Sequence, residues 1–433
     1  MILDHYHQAL QKIPRRLWSG RISKAIAGII ESEGPHCALG DCCVIRDRAG
    51  HEVEGQVVGF RGSTVLSMPL YPASGIRFGD TVSTWNSRPS IAVSDSMIGR
   101  VVNAQGHPID GGAPLTGGGA VPIVRAAPDP FEREPIKAPI GTGVRAIDAF
   151  LTCGRGQRVG IFGGSGVGKS TLMGMMARGT SADLTVVALI GERGREVREF
   201  LEDALGEAGL RRSIVVVSTS DQSPLLRLRA AQSAHSIAEY FAAHGKHVLL
   251  VLDSITRFAM AQREIGLAAG EPPTSKGYTP SVFTLLSQLV ERAGNFHKGS
   301  ITAFYTVLME GDDQMDPIVD SVRSLLDGHI LLDRRLTSEG HFPPIQLIES
   351  LSRLMPAVCS TEHLAKAQRL RQMLADYARS EDLIRIGAYQ KGTDPDLDRA
   401  LRVVPNLRAF TRQGPVDIPQ IAQTIEALLS ISE

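Results

Sequence analysis

The stretch GGSGVGKST, residues 163–171, follows the apolar run RVGIF and precedes LMGMMARG. Gly163, Gly164, Gly166 and Gly168 carry no side chain where the backbone must curl with its N–H groups inward. A ring of such donors at a helix N-terminus binds phosphate oxygens. Ser165 and Val167 complete the loop. Lys169 then brings a mobile charge to the β- and γ-phosphates, and the Ser170 hydroxyl, followed by Thr171, is placed to ligate Mg²⁺. The order strand, loop, helix, with KSTLMGMMARG ending at Gly179, predicts a P-loop that binds ATP with Mg²⁺.

Working outward, RVGIFGG, LTVVALIG, SIVVVSTS, HVLLVLDS and SITAFYTVL are apolar runs separated by stretches of helical spacing. Continuous apolar strands alternating with helices imply a parallel sheet covered on both faces. Two of these runs end on acids. HVLLVLD closes on Asp253, the Walker B pattern, where a carboxylate at a strand's C-terminal edge holds the hydration shell of Mg²⁺. IGERGREVREF places Glu192 just after VVALI, where an acid can orient and deprotonate water. Met173, Met175 and Met176 read as core filling.

The flanks have other patterns. From Gly20 to about Arg88, short β-prone pieces (RISKAIAGII, CCVIRD, EVEGQVVGF, STVLSMPL, DTVSTWN) alternate with Gly-, Asp-, Asn- and Pro-bearing turns, as in a small antiparallel barrel. Residues 103–140 are Gly- and Pro-rich and read as turns and extended linker. After about Ser350, HLAKAQRLRQMLADYARSEDLIRIGAY and IPQIAQTIEALLSIS repeat apolar residues at helical spacing. The expected class is therefore α/β in three parts: a β-barrel over 20–95, a linker and P-loop domain over 96–349, and a helical domain over 350–433. Ahead of the barrel, residues 1–19 form a separate segment in which Ile2, Leu3, Tyr6, Leu10 and Ile13 line one face of a short helix stopped by Pro14. A helix of three turns is marginal alone, which points to fraying or to docking on a partner.

Composition excludes several classes. The 433 residues contain 46 Lys plus Arg and 46 Asp plus Glu, so no global field holds nucleic acid or an acidic membrane. Phe60, Tyr71, Phe78 and Trp85 are sparse in the barrel and lack a basic stripe, against a nucleic-acid partner. Apolar runs are shorter than the ~20 residues of a membrane span, and the N-terminus lacks a secretory pattern; a cytoplasmic location is expected. Cys37, Cys42, Cys43, Cys153 and Cys359 are odd in number and lack CxxC spacing, so reduced thiols are expected.

RVGIFGGSGVGKSTLMGMMAR, IGERGREVREF, VLDSITRFAMAQREIGLAAGEPP, GYTPSVFTLLSQLVERAG and MDPIVDSVRSLLDGHILLDR together resemble the flagellar and type III protein-export ATPases, relatives of the rotary ATP synthase catalytic subunit. The likeness runs from about residue 20 to about 415. It implies a homohexamer of three-domain subunits that hydrolyses ATP at the inner face of the cytoplasmic membrane, attached only through the export apparatus. Implied partners are a regulatory or stator protein at the N-terminal segment, the export gate and chaperone–substrate complexes. By position, Lys169 and Ser170 hold phosphate and metal, Glu192 activates water, Asp253 is the Walker B acid, and Arg193 and Arg257 support the γ-phosphate site. Phe342, in HFPPIQLIESLSRLMPAV, falls where relatives set an aromatic ring against adenine. Arg353 falls where they place an arginine finger that reaches the neighbouring subunit's nucleotide; the bland alternative is an ion pair with Glu349 across one helical turn.

Glu192 argues against a noncatalytic ring subunit, whose relatives lack that acid. LIRIGAYQKGTDPDLDRALRVVPNLRAF differs from the acidic stalk-contacting segment of a rotary synthase. IRDRAGHEVEGQVVGF and LYPASGIRFGDTV favour the flagellar branch over virulence or symbiosis export.

Overall fold

The computed structural model describes residues 17–432 except 27, 86, 310, 312 and 314, so the amphipathic segment expected at residues 2–13 lies outside the described residues. Six antiparallel strands, β1 (Trp18–Ile26), β2 (Ile29–Glu33), β3 (Cys42–Arg46), β4 (Glu52–Arg61), β5 (Thr64–Pro69) and β6 (Thr81–Thr84), close into a barrel in the order β1-β2-β5-β4-β3-β6. RISKAIAGII, a single piece in sequence, becomes two strands because the chain reverses at Gly28, whose φ of 80° suits a residue without a Cβ. Alternation turns Ile22, Ile30, Cys43, Ile45 and Val82 into the barrel interior. Phe60, Tyr71, Phe78 and Trp85 all face outward to some degree.

The second sheet is built from β7 (Val101–Asn103), β8 (Arg158–Gly163), β9 (Leu184–Glu192), β10 (Ser213–Thr219), β11 (His247–Asp253), β12 (Ser300–Leu308), β13 (Gly328–Leu331) and β14 (Leu351–Ser352). From one edge to the other the order is β14-β13-β8-β12-β11-β9-β10-β7. All these neighbours pair in parallel except β13 and β14, which are antiparallel. β7 runs into the start of the stretch expected to be linker and pairs with β10 through Val102 and Val216. The linker stretch itself contributes Gly119–Pro122, which pairs with Ser90–Val93.

The all-apolar strands are buried on both faces. In β9, Val186, Ala188 and Ile190 join one core, while Val187 and Leu189 join the other. The first core packs beneath α4 (Pro224–Ala243), α5 (Ile255–Ala269) and α6 (Pro280–Val290). The second lies against α1 (Arg145–Phe150) and α2 (Lys169–Gly179), and extends without a break into α7 (Thr361–Arg385), α8 (Pro395–Thr411) and α9 (Ile421–Leu429). Met173, Met175 and Met176 on α2 and Leu370, Val403 and Leu428 of the C-terminal helices are all buried in this second core, so the phosphate-loop helix and the C-terminal helices share it. The third helix, α3 (Gly194–Glu199), follows β9 directly. All five cysteines are free. No helix among the described residues is long and apolar enough to cross a membrane.

One buried ion pair ties the chain ahead of the P-loop domain to this framework. Arg292, 2% exposed, donates through Nε and Nη2 to the two Glu239 carboxylate oxygens at 2.6 and 3.0 Å. It also reaches Ser236 Oγ at 2.8 Å and the Ile123 carbonyl at 2.9 Å. Removing one partner of such a pair leaves an uncompensated buried charge. Glu239→Ala is therefore expected to destabilise the protein by about 3–5 kcal/mol, seen as a lower urea midpoint; an unchanged midpoint would show that water replaces the carboxylate.

Candidate active site: a glycine-rich loop facing two acids

The loop from β8 to α2 needs glycine for two separate reasons. Gly166 and Gly168 have φ of 76° and 93°, in the left-handed region that other residues rarely adopt. At Gly163 the constraint is space: a Cβ would come to 3.0 Å from Val167 Cγ2 and 3.1 Å from Leu332 Cβ. Val167 is buried and anchors the loop, while Ser165, Gly166, Ser170 and Thr171 are exposed at its mouth. The Lys169 ammonium folds over the loop and donates to the Gly163 carbonyl at 3.1 Å and to the Gly164 carbonyl.

Parallel pairing of β9 with β11 aligns Leu189 with Asp253, so both strand ends, and the acids they carry, emerge on the P-loop side. Asp253 is 6% exposed and accepts a 2.5 Å hydrogen bond from Thr306 Oγ1 on β12. Burial pushes its carboxyl up; the Thr306 hydrogen bond, Lys169 and Arg257 pull the other way. Glu192 is pushed up to about 8, first by burial, then by the Asp253 charge and a hydrogen bond with Glu196, with Arg257 opposing. A bulge in β9 between Ile190 and Glu192 turns this side chain. Gly191, at φ 69°, makes the bulge possible, and a Cβ there would lie 3.1 Å from the Arg257 side chain.

Arg257 enters on α5, whose first turn is capped by Ser254 Oγ accepting from the Arg257 N–H at 3.2 Å. Its Nε is buried with no hydrogen-bond partner. A buried guanidinium donor left open beside two carboxylates and a glycine cradle fits an anion that completes the site, and a polyphosphate has the right charge and oxygens. Among the described residues no group of three or more His, Cys, Asp or Glu forms a metal site. The Ser170 hydroxyl and Asp253 carboxylate are a partial oxygen set that suits Mg²⁺ if the nucleotide supplies further ligands.

The remaining residues expected at the site fall into three places. Arg193 caps α3 with a side chain 76% exposed, 3.9 Å from Glu196, and so points to solvent rather than into the acidic cluster. Phe342 is 45% exposed, on the segment that passes the P-loop. Pro344 Cδ lies 3.9 Å from where a Gly168 Cβ would be, and Arg334 Nη2 donates to the Ser165 carbonyl at 3.4 Å. Arg353 stands apart. It is exposed in the turn after β14 and its N–H donates to the Asp327 carbonyl at 3.0 Å, beside the start of β8. The P-loop is at the other end of that strand, roughly 17 Å away at strand rise. No helix joins Arg353 to Glu349, so the i,i+4 alternative has no structural basis.

Sequence reasoning missed Thr306, Gly191, Glu196 and Arg334. Glu196, in the first turn of α3 and four residues after Glu192, is a second acid in GERGREVREF. Thr306 carried no signal, because its meeting with Asp253 depends on strand order.

These features define a P-loop nucleotide-binding domain of the α/β type with a barrel before it and helices after it. The chain matches the ATP synthase alpha/beta family, nucleotide-binding domain, over residues 143–352, and the T3SS EscN ATPase C-terminal domain over residues 359–430. The flagellum-specific ATP synthase of Bacillus subtilis (strain 168) is 49% identical over 415 residues, covering 95% of each chain. The type 3 secretion system ATPase of Sinorhizobium fredii (strain NBRC 101917 / NGR234) is 45% identical over 417 residues, covering 96% of this chain and 92% of the other. The structure of the assembled ATPase EscN from the enteropathogenic E. coli type III secretion system superposes with a TM-score of 0.90 at 44% identity, covering 95% of this chain and 99% of that one. EscN in complex with its central stalk EscO gives 0.88 at 43% identity, with the same coverage. The chain belongs to the family of flagellar and type III secretion ATPases.

Holding Glu192 close to Asp253 costs stability when both are ionised. In the folded chain Glu192 titrates near 8, against 4.5 for a free glutamate. A raised carboxyl contributes stability that is complete below about pH 4.5 and lost as pH rises to about 8. Glu192→Gln is thus expected to raise the thermal midpoint of the nucleotide-free protein over wild type by a margin that grows between pH 5 and 8. A margin independent of pH would show that folding does not raise the Glu192 carboxyl.

Proposed function

We propose that the chain is a Mg²⁺-dependent ATP hydrolase that works as a ring and drives or primes protein export through a flagellar-type apparatus. The observation that carries the reading is the pair Glu192 and Asp253 at neighbouring strand ends, facing a P-loop lysine and the open Arg257 donor. Support for the export role comes from relatives: several at 44–49% identity are named flagellum-specific ATP synthases, beside type 3 secretion ATPases at 44–45%.

In this reading Gly163–Thr171 cradles the phosphates, and Phe342, exposed beside the loop, stacks on adenine. Lys169 and Arg257 neutralise the β- and γ-phosphate oxygens. Ser170 and Asp253 hold Mg²⁺, which when bound offsets charge that builds on the transferring phosphate. Glu192, ionised, orients a water and takes its proton as the water oxygen bonds to the γ-phosphorus and the bond to the β-phosphate oxygen breaks. Arg193 reaches the γ-phosphate site only by swinging in from solvent. Arg353 is too far from its own P-loop to serve it, and so acts on the nucleotide of a neighbouring copy. EscN was solved as an assembled ATPase and with a central stalk, in keeping with a homohexamer that carries a stalk. A stator or regulatory protein at residues 1–19, the export gate and chaperone-bound substrates complete the proposed partners.

Lys169→Ala is expected to weaken ATP binding, whereas Glu192→Gln keeps affinity near normal and loses turnover, because the lysine meets ground-state phosphate and the glutamate acts as water attacks. Arg353→Ala is expected to cost roughly 10³–10⁵ in turnover with ATP binding intact. Mixing Arg353→Ala with Glu192→Gln subunits restores part of the activity, since some interfaces then join an intact acid to an intact arginine. Wild-type turnover in Glu192→Gln would remove the base assignment; full activity of Arg353→Ala would remove the trans finger.

A further inference from the structure

The turn that carries Arg353 is held by a buried side chain with no part in the nucleotide site. Gln157 is fully buried immediately before β8. Its Nε2 donates to the Asp327 carbonyl at 3.1 Å and to Ser352 Oγ at 3.1 Å, while its Oε1 accepts from the Gly154 N–H at 2.8 Å. The same Asp327 carbonyl accepts the Arg353 N–H at 3.0 Å. Ser352 Oγ in turn donates to the Thr152 carbonyl at 2.8 Å. One amide therefore grips both sides of the peptide leading into Arg353, with both its hydrogens and its oxygen engaged.

The surroundings stiffen this clamp. Asp327 accepts a fork from Arg158, with Nε to Oδ2 at 3.1 Å and Nη2 to Oδ1 at 3.3 Å, and Arg158 is ion-paired in addition with Glu291. At Gly328 the strands approach so closely that a Cβ would lie 2.5 Å from the Leu351 carbonyl oxygen. From the other side, Arg371 on α7 donates to the Ser350 carbonyl at 2.8 Å. The backbone under the exposed Arg353 guanidinium is thus fixed, although the side chain itself projects into solvent.

We infer that Gln157 is a positioning residue for Arg353: it sets the turn from which the guanidinium reaches a neighbouring subunit's nucleotide. The inference rests on the trans-finger reading above and adds to it. Gln157 and Arg158 lead into β8, and β8 ends in the P-loop, so one strand carries the subunit's own phosphate site at one end and the mount of the arginine it lends at the other. A displacement of about 1 Å in a catalytic group costs on the order of 10²-fold in rate, so a loosened mount is felt in turnover and not in the subunit's own ATP affinity.

The test replaces Gln157 by Met, which keeps the volume and removes the amide, and measures turnover, affinity for a fluorescent ATP analogue and ring assembly in the full chain. The expected result is a kcat lower by roughly 10- to 100-fold, with nucleotide affinity and assembly unchanged. In an Arg353→Ala background the same substitution is expected to cost nothing further, because the group it positions is already gone. Ser352→Ala, a smaller change that removes only one of the amide's bonds, shows the same pattern with a smaller loss and decides the matter should Gln157→Met fail to fold. Wild-type kcat in both variants, a fall in nucleotide affinity that parallels the loss of kcat, or a loss that adds in full to that of Arg353→Ala would each overturn the positioning role while leaving the finger intact. Undiminished activity of Arg353→Ala itself would sink both.

Discussion

The nucleotide end of the sheet depends on holding Glu192 and Asp253 together in a place where neither is comfortable as an anion. Burial raises both carboxyls; the Asp253 charge raises Glu192 further, and Glu196 adds to the rise of Asp253. The protein offsets this with Thr306 on one side and the Lys169 and Arg257 cations on the other. In the reading proposed above, a polyphosphate and its metal would relieve this cost, which falls where the chemistry needs it. The buried Arg257 Nε without a partner belongs to the same logic. Under the proposed function, it is a donor kept dry for an oxygen that arrives with substrate.

That pocket exists because the strands run parallel with both faces covered. Apolar runs such as VVALI and VLLVL leave no polar face for solvent, so helices pack on both sides and every strand delivers its C-terminal residue to the same edge. Strand direction brings the acids on β9 and β11 and the glycine loop after β8 to that shared edge. The other end of the sheet has a separate role. There Gln157, Arg158 and Asp327 tie the entry of β8 to the edge strand β14 and hold the turn that bears Arg353. A sheet with the glycine loop at one end and Arg353 at the other suits the ring proposed above, in which each subunit would complete its neighbour.

The second core joins the C-terminal helices to the phosphate-loop helix without an intervening polar layer. Leu370, Val403 and Leu428 lie in the same apolar mass as Met173 and Phe150. The C-terminal helices meet this core chiefly at α1, against which all three pack.

Local chemistry was legible in the sequence wherever one short segment contained the whole device. The P-loop with its helix from Lys169 to Gly179, the five main apolar strands, the helical C-terminus and the acids closing β9 and β11 each follow from residue type and spacing within about ten residues. The barrel strands were legible for the same reason, apart from the reversal at Gly28, and the short edge strands β7 and β14 were not, since pairing with a distant neighbour alone makes them strands. Tertiary structure decided everything that requires two distant segments to meet: the Thr306 bond to Asp253, the open Arg257 donor, the outward direction of Arg193 and the clamp of Gln157 on Ser352. Above all it placed Arg353 at the far end of the sheet from its own P-loop. Sequence spacing records separation along the chain, whereas strand order and direction set separation in space, and only the latter decides which phosphate an arginine can reach.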